Sequence, residues 1–129
     1  MWPTGNGAMI ATMPATLVIV DDHDQFRLFT RAMLEADGFA VVGEAVDGAS
    51  AIHAVRQLRP QVVLLDVVLP DRDGFAVCAE LLADDDPPIV VLTSSRDESS
   101  YRRRLRTSAA RGFIPKSELS GSRLAGLVG

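Results

Sequence analysis

Five short apolar runs punctuate the chain, at residues 16–20, 40–45, 62–65, 89–92 and 112–114, and a longer amphipathic stretch lies between each and the next. The central runs, VVLL and IVVL, contain no polar residue. That is the pattern of strands buried on both faces rather than on one. β-Branched residues are frequent in them, as such strands favour. Strict alternation of strand and helix makes the expected fold α/β, a five-stranded parallel sheet with helices on both faces.

The stretches between the strands read as helices. Phe26, Phe29, Met33 and Leu34 recur at helical spacing, with Asp24 as the expected N-cap and Gly38 where a C-cap belongs. Asp47 precedes GASAIHAVRQL, where Ile52, Val55 and Leu58 share a face and Pro60 stops the helix. Phe75, Val77, Cys78, Leu81 and Leu82 mark a third helix, ended by DDDPP. A fourth is expected from residue 97 to about 108, with Tyr101 and Leu105 on one side, and a short last one over 120–127. The opening MWPTGNGAMIATMP has no sustained period and reads as a flexible extension over residues 1–14, ahead of a single domain at 15–129. Met9 and Met13 are candidates for the natural start.

Composition narrows the function classes. A chain of 129 residues is enough for one core. The net charge of -4 argues against a nucleic-acid surface on this chain. The single cysteine, Cys78, excludes an internal disulfide and a Cys-rich metal site, and is expected to be a small core residue. No apolar run is long enough to cross a bilayer and no signal peptide is evident, so a cytoplasmic protein without a membrane partner is expected.

In open parallel sheets, ligands bind beyond the carboxyl ends of the strands. Here the first strand ends in Asp21 and Asp22, the third in Asp66, the fourth in Thr93 and Ser94, and the fifth near Lys116. Two carboxylates about 4 Å apart near a protein surface repel by about 4 kcal/mol. Three together need a cation. Short carboxylates without thiolates or a histidine pair favour a hard ion such as Mg²⁺. Beside it, Asp66 is the candidate nucleophile toward phosphorus, forming an acyl phosphate. Thr93 would hydrogen-bond an incoming phosphoryl oxygen, and Lys116 would offset its charge. Each residue also has a structural reading: Asp66 as a loop carboxylate in a turn built from Pro70, Asp71, Asp73 and Gly74, Thr93 as the cap of the following turn, Lys116 as a solvated cation. Their joint arrival at one edge favours the site.

Taken together, VDDH, LLDVVLPDRDG, VVLTSS and GFIPKSEL resemble the receiver domain of two-component response regulators, over about residues 16–127. The resemblance implies a flavodoxin-like sheet of strand order 2-1-3-4-5 and phosphoryl transfer from a sensor histidine kinase to Asp66. It implies Asp21 and Asp22 as the acidic metal pair, with Asp66 and the Val68 backbone carbonyl completing the protein ligands to Mg²⁺. Thr93 matches the switch hydroxyl, Lys116 the phosphate-binding lysine, and Phe113 the aromatic that changes rotamer, although a plain core role suits that ring equally. PDRDGFAVCAELL and RGFIPKSEL are similar to regulators of the LuxR type, which carry a C-terminal helix-turn-helix. DNA would then be contacted only through an output domain absent from this chain, which is either a receiver fragment, the favoured expectation, or a stand-alone regulator. The helix 4, strand 5 and helix 5 surface is the expected readout, with self-association as a homodimer on phosphorylation.

Two positions depart from the pattern or flank it. Ala109 stands where many relatives have Gly, and a positive φ there would cost about 1 kcal/mol and displace the end of the fourth helix. Val68 and Ser95 flank the site and are expected to tune phosphate lifetime. His23 could line the site mouth, whereas His53 on the second helix lies away from it. The RRRLR run reads as a solvated face or as a partner for acids across an interface. A flavin or nucleotide module on the same topology would want a Gly-rich phosphate loop where DDHDQ stands, and an Asp-based phosphatase would want a second carboxylate beside Asp66. A receiver-like domain that no longer takes phosphate would lack part of the set that is complete here.

Overall fold

The computed structural model describes residues 14–129. The expected N-terminal extension therefore lies outside the described residues except for Pro14, as do Met9 and Met13. Five strands, β1 (Thr16–Val20), β2 (Ala40–Ala45), β3 (Val62–Asp66), β4 (Ile89–Ser94) and β5 (Gly112–Pro115), form one sheet in the order β2-β1-β3-β4-β5. Every adjacent pair is parallel. The helices are α1 (Asp24–Ala36), α2 (Gly48–Leu58), α3 (Gly74–Leu82), α4 (Arg102–Thr107) and α5 (Gly121–Val128).

The period-2 geometry of a strand divides each apolar run between two cores. Leu17, Ile19, Leu64, Val91 and Ile114 face one side, where Leu34 of α1 and Leu124 of α5 cover them. Val18, Val20, Val63, Leu65, Leu92 and Phe113 face the other, under Ile52 and Val55 of α2 and Val77, Cys78 and Leu81 of α3. The two-sided burial expected of the central strands is met: all five residues of β3 are buried. Cys78 is a core residue, as expected.

Local differences from the sequence reading have identifiable causes. Asp24 is not the cap of α1 but its first residue; His23 holds the N-cap position without a side-chain cap bond. The Asp24 carboxylate is instead engaged by Arg27. Phe29 is 69% exposed and does not join the core face of α1. At about 100° per residue, it lies roughly 120° from the direction shared by buried Thr30 and Leu34. Leu58, the last residue of α2, is likewise exposed.

The fourth helix is not continuous from residue 97. A 3₁₀ turn over Glu98–Tyr101 precedes α4, and Tyr101 turns inward to meet Ser94, Phe75 and Phe113. Ala109 needs no strained backbone, because among the described non-glycine residues only Arg59 and Asp86 have positive φ. The cost expected there does not arise; beyond α4, the Ala110 N–H donates to Ser108 Oγ. Elsewhere the reading holds: Asp47 forms a capping box with Ser50, and Gly38, at φ 97°, follows the C-cap of α1.

Candidate functional site

Parallel strands bring Asp21, Asp66, Thr93 and Lys116 to one edge. The Asp21 N–H continues the β1–β2 ladder by donating to Ala45 O at 3.0 Å, and this draws the first carboxylate inside. Asp21 is 0% exposed and Asp66 3%, whereas Asp22 stands at the rim. Gly74 makes the approach of α3 possible: a Cβ there would lie 2.3 Å from Asp66 O and 2.6 Å from Val67 Cα. Only glycine lets the helix start this close to the strand end.

Asp66 has both carboxylate oxygens engaged. Oδ1 accepts the Val68 N–H at 3.0 Å, and Oδ2 accepts from Lys116 Nζ at 3.0 Å. The same ammonium is 2.5 Å from Asp21 Oδ2, so it lies between the two buried carboxylates. Lys116 also lies over the Phe26 ring, 4.3 Å from its centroid.

Charge is distributed unevenly across this cluster. Burial and the adjacent Asp21 carboxyl push Asp66 up to about 6, against the pull of the Val68 N–H and Lys116. Burial also opposes ionisation of Asp21, yet Lys116, the His23 N–H and the contact with Asp66 outweigh it and hold Asp21 below the ordinary carboxylate value. Lys116 is desolvated too, but the two carboxylates raise its pKa. One ammonium does not balance Asp21, Asp22 and Asp66. Oxygens of these three carboxylates, with a ring nitrogen of His23, lie within 4.8 Å of one another. Excess negative charge and a compact oxygen-rich donor set fit a hard divalent cation.

Thr93 pairs in register with Asp66 on one side and Ile114 on the other. Its hydroxyl donates to Ile114 O at 2.7 Å. The turn-capping role expected as its alternative belongs to Ser94, whose Oγ accepts the Arg96 N–H at 3.2 Å. Phe113 is buried, its ring centroid 5.7 Å from that of Tyr101. Val68 and Ser95 are exposed beside the site, and His53 is exposed on α2 and outside the acidic cluster.

Several supporting contacts were not evident in the sequence. Arg27, its side chain only 12% exposed, clamps the acidic turn by donating to Asp21 O at 2.7 Å and to Glu44 Oε1 at 2.9 Å. Its i,i+3 spacing from Asp24 was a visible signal; its bond to Glu44 was not. Asp71 accepts the Gly48 and Ala49 N–H groups and so caps α2 from a distant loop. Asp73 caps α3 through the Phe75 N–H and pairs with Arg104 at 2.5 Å. Arg104 also stacks on the Phe75 ring. One member of the basic run thus pairs within the chain.

The family profile described as Response regulator receiver domain matches residues 17–125. The chain belongs to the response regulator receiver family. A transcriptional regulator of Pseudomonas aeruginosa is 38% identical over 102 residues, covering 79% of this chain and 49% of that protein. The signal receiver domain of the response regulator NarL from Mycobacterium tuberculosis superposes with a TM-score of 0.79 at 32% identity, over 90% of this chain and 98% of that one. A LuxR-family two-component response regulator from Aurantimonas gives 0.75 at 25% identity, over 88% of this chain and 81% of that one. The likeness to LuxR-type regulators is thereby upheld, as is the receiver fold. This receiver domain spans about half the length of the curated relatives it matches. It is a signalling domain, and no helix among the described residues is long and apolar enough to cross a membrane.

Proposed function

We propose that this receiver domain, occupying residues 15–129, accepts a phosphoryl group on Asp66 from a phosphohistidine of a sensor histidine kinase. The observation that carries the reading is the buried Asp66 carboxylate, 3.0 Å from Lys116 Nζ and grouped with Asp21 and Asp22. In its ionised form an Asp66 oxygen attacks phosphorus; the P–O bond forms as the P–N bond breaks, and the electron pair leaves with the donor imidazole. Asp21, Asp22, Asp66 and the Val68 backbone carbonyl would hold Mg²⁺. Bound there, Mg²⁺ supplies charge neutralisation for the transferring group and a template for donor and acceptor.

Lys116 remains beside Asp66 to offset the charge that the phosphoryl oxygens bring. Thr93 exchanges its bond to Ile114 O for one to a phosphoryl oxygen, and Phe113 follows as the switch aromatic. The exchange biases the α4–β5–α5 surface between two arrangements, which favours homodimer formation. The domain assists only its own phosphorylation and dephosphorylation. In a cytoplasmic regulator of this kind it would control transcription through a DNA-binding output domain, in keeping with the regulators it resembles.

Intact mass after incubation with a small-molecule phosphodonor tests this. A single phosphate adduct is expected with Mg²⁺, lost with chelator and in Asp66→Asn. An adduct that persists in the variant refutes the assignment of Asp66.

A further inference from the structure

We propose that His23 is an additional ligand of the acidic cation site, through Nδ1, and biases it toward nitrogen-accepting divalent ions such as Zn²⁺ over Mg²⁺. The inference rests on the reading of Asp21, Asp22 and Asp66 as that site. His23 Nδ1 is 2.9 Å from Asp21 Oδ1 and 3.2 Å from Asp22 Oδ1. Neighbouring ligands around an ion with bonds of about 2.1 Å and octahedral angles stand about 3.0 Å apart. The ring nitrogen already has that spacing to two carboxylates.

The whole donor group also fits. Ligands on opposite sides of such an ion are about 4.2 Å apart, and the four donor atoms lie within 4.8 Å of one another. Closing around an ion takes adjustments of tenths of an ångström. The buried Asp21 carboxylate offers Oδ1 on this side, while its Oδ2 faces the Lys116 ammonium.

The backbone fixes where the ring starts. The His23 N–H donates to Asp21 Oδ1 at 2.8 Å, and His23 is the N-cap residue of α1. Its side chain is 67% exposed, so the ring can turn onto an ion without repacking the core. Imidazole nitrogen suits Zn²⁺, Ni²⁺ and Cu²⁺, while carboxylate, carbonyl and water suit Mg²⁺. An imidazole among carboxylates therefore changes selectivity more than Mg²⁺ affinity.

Calorimetric titration of the full chain with Mg²⁺ and with Zn²⁺, for wild type, His23→Ala and His23→Asn, tests the inference. Zn²⁺ affinity is expected to fall about tenfold or more in both variants, with Mg²⁺ affinity changed by less than about threefold. Long-range ¹H–¹⁵N spectra give a signature that a structural role would not: Zn²⁺ should move His23 Nδ1 and leave His53, the other histidine, unmoved. Equal loss of both ions, undiminished Zn²⁺ affinity or an unmoved His23 ring overturns the inference. If wild type binds neither ion, the cation-site reading fails as well; if Asp21→Asn abolishes Mg²⁺ binding while both His23 variants keep wild-type Zn²⁺ affinity, the His23 inference fails alone.

Discussion

The buried, ionised Asp66 costs the fold stability, and Asp66→Asn measures how much. Displacement of its pKa from 3.8 to about 6, at 1.36 kcal/mol per unit, corresponds to about 3 kcal/mol of destabilisation once the carboxyl is ionised. An Asn at this position keeps an oxygen for the Val68 N–H and removes the buried charge, but gives up the ionic contact with Lys116, which retains Asp21. The net gain expected is about 1–3 kcal/mol in chelator at pH 7.5, roughly 4 °C or more in Tm. The pH dependence has a definite sign. A carboxyl with a raised folded pKa binds more protons folded than unfolded between pH 4 and about 6, so stability falls as pH rises through that window. The advantage of the variant is therefore complete above about pH 7 and shrinks toward pH 5. Urea unfolding followed by circular dichroism at both pH values, without divalent ions, is the assay. A wild type as stable as the variant at pH 7.5, or a gap independent of pH, refutes the reasoning.

Two further outcomes follow from the supporting contacts. Arg104→Ala should destabilise by about 1 kcal/mol, since the Asp73 pair is half-exposed and the Phe75 stacking adds a similar small amount; a double-mutant cycle with Asp73→Asn should show coupling of about 0.5–1 kcal/mol, and additivity would remove the pair from the account. Gly74→Ala should cost more than about 2 kcal/mol through overpacking of backbone, read as a lowered urea midpoint, and a near-neutral effect would mean that α3 can withdraw from Asp66.

The fold was legible because its signal is local. Apolar runs mark the strands, and alternation assigns each residue to a core without knowledge of its neighbours. The edge cluster was legible for a related reason: in a parallel sheet, position in sequence after a strand is position in space at one edge. What escaped the reading depends on rotation and on distance along the chain. Phe29 and Thr30 differ by one step around α1, and the hydrophobic pattern favours the wrong one because Thr30 is polar. Nothing near Tyr101 indicates that its hydroxyl meets Ser94, nor anything near Arg104 that Asp73 awaits it 31 residues away. Such bonds belong to packing, which fixes them only once the layers have closed.

The end of β4 illustrates how packing gives two adjacent residues separate tasks. Thr93 and Ser94 point to opposite sides of the strand; the first donates to Ile114 O on β5, and the second meets the Tyr101 hydroxyl at 3.0 Å, at the entry to α4. A single peptide unit thus joins the edge of the acidic cluster to both β5 and α4. Tyr101 in turn touches Phe113 of β5 and Phe75 of α3, while Arg104, one turn on, reaches Asp73 beside the Asp66 loop. A movement of the Thr93 hydroxyl away from Ile114 O breaks its side-chain tie to β5, one peptide unit from this ring of contacts. α4 has no fully buried residue of its own, so of the elements in this ring it can shift with the least exposure of core.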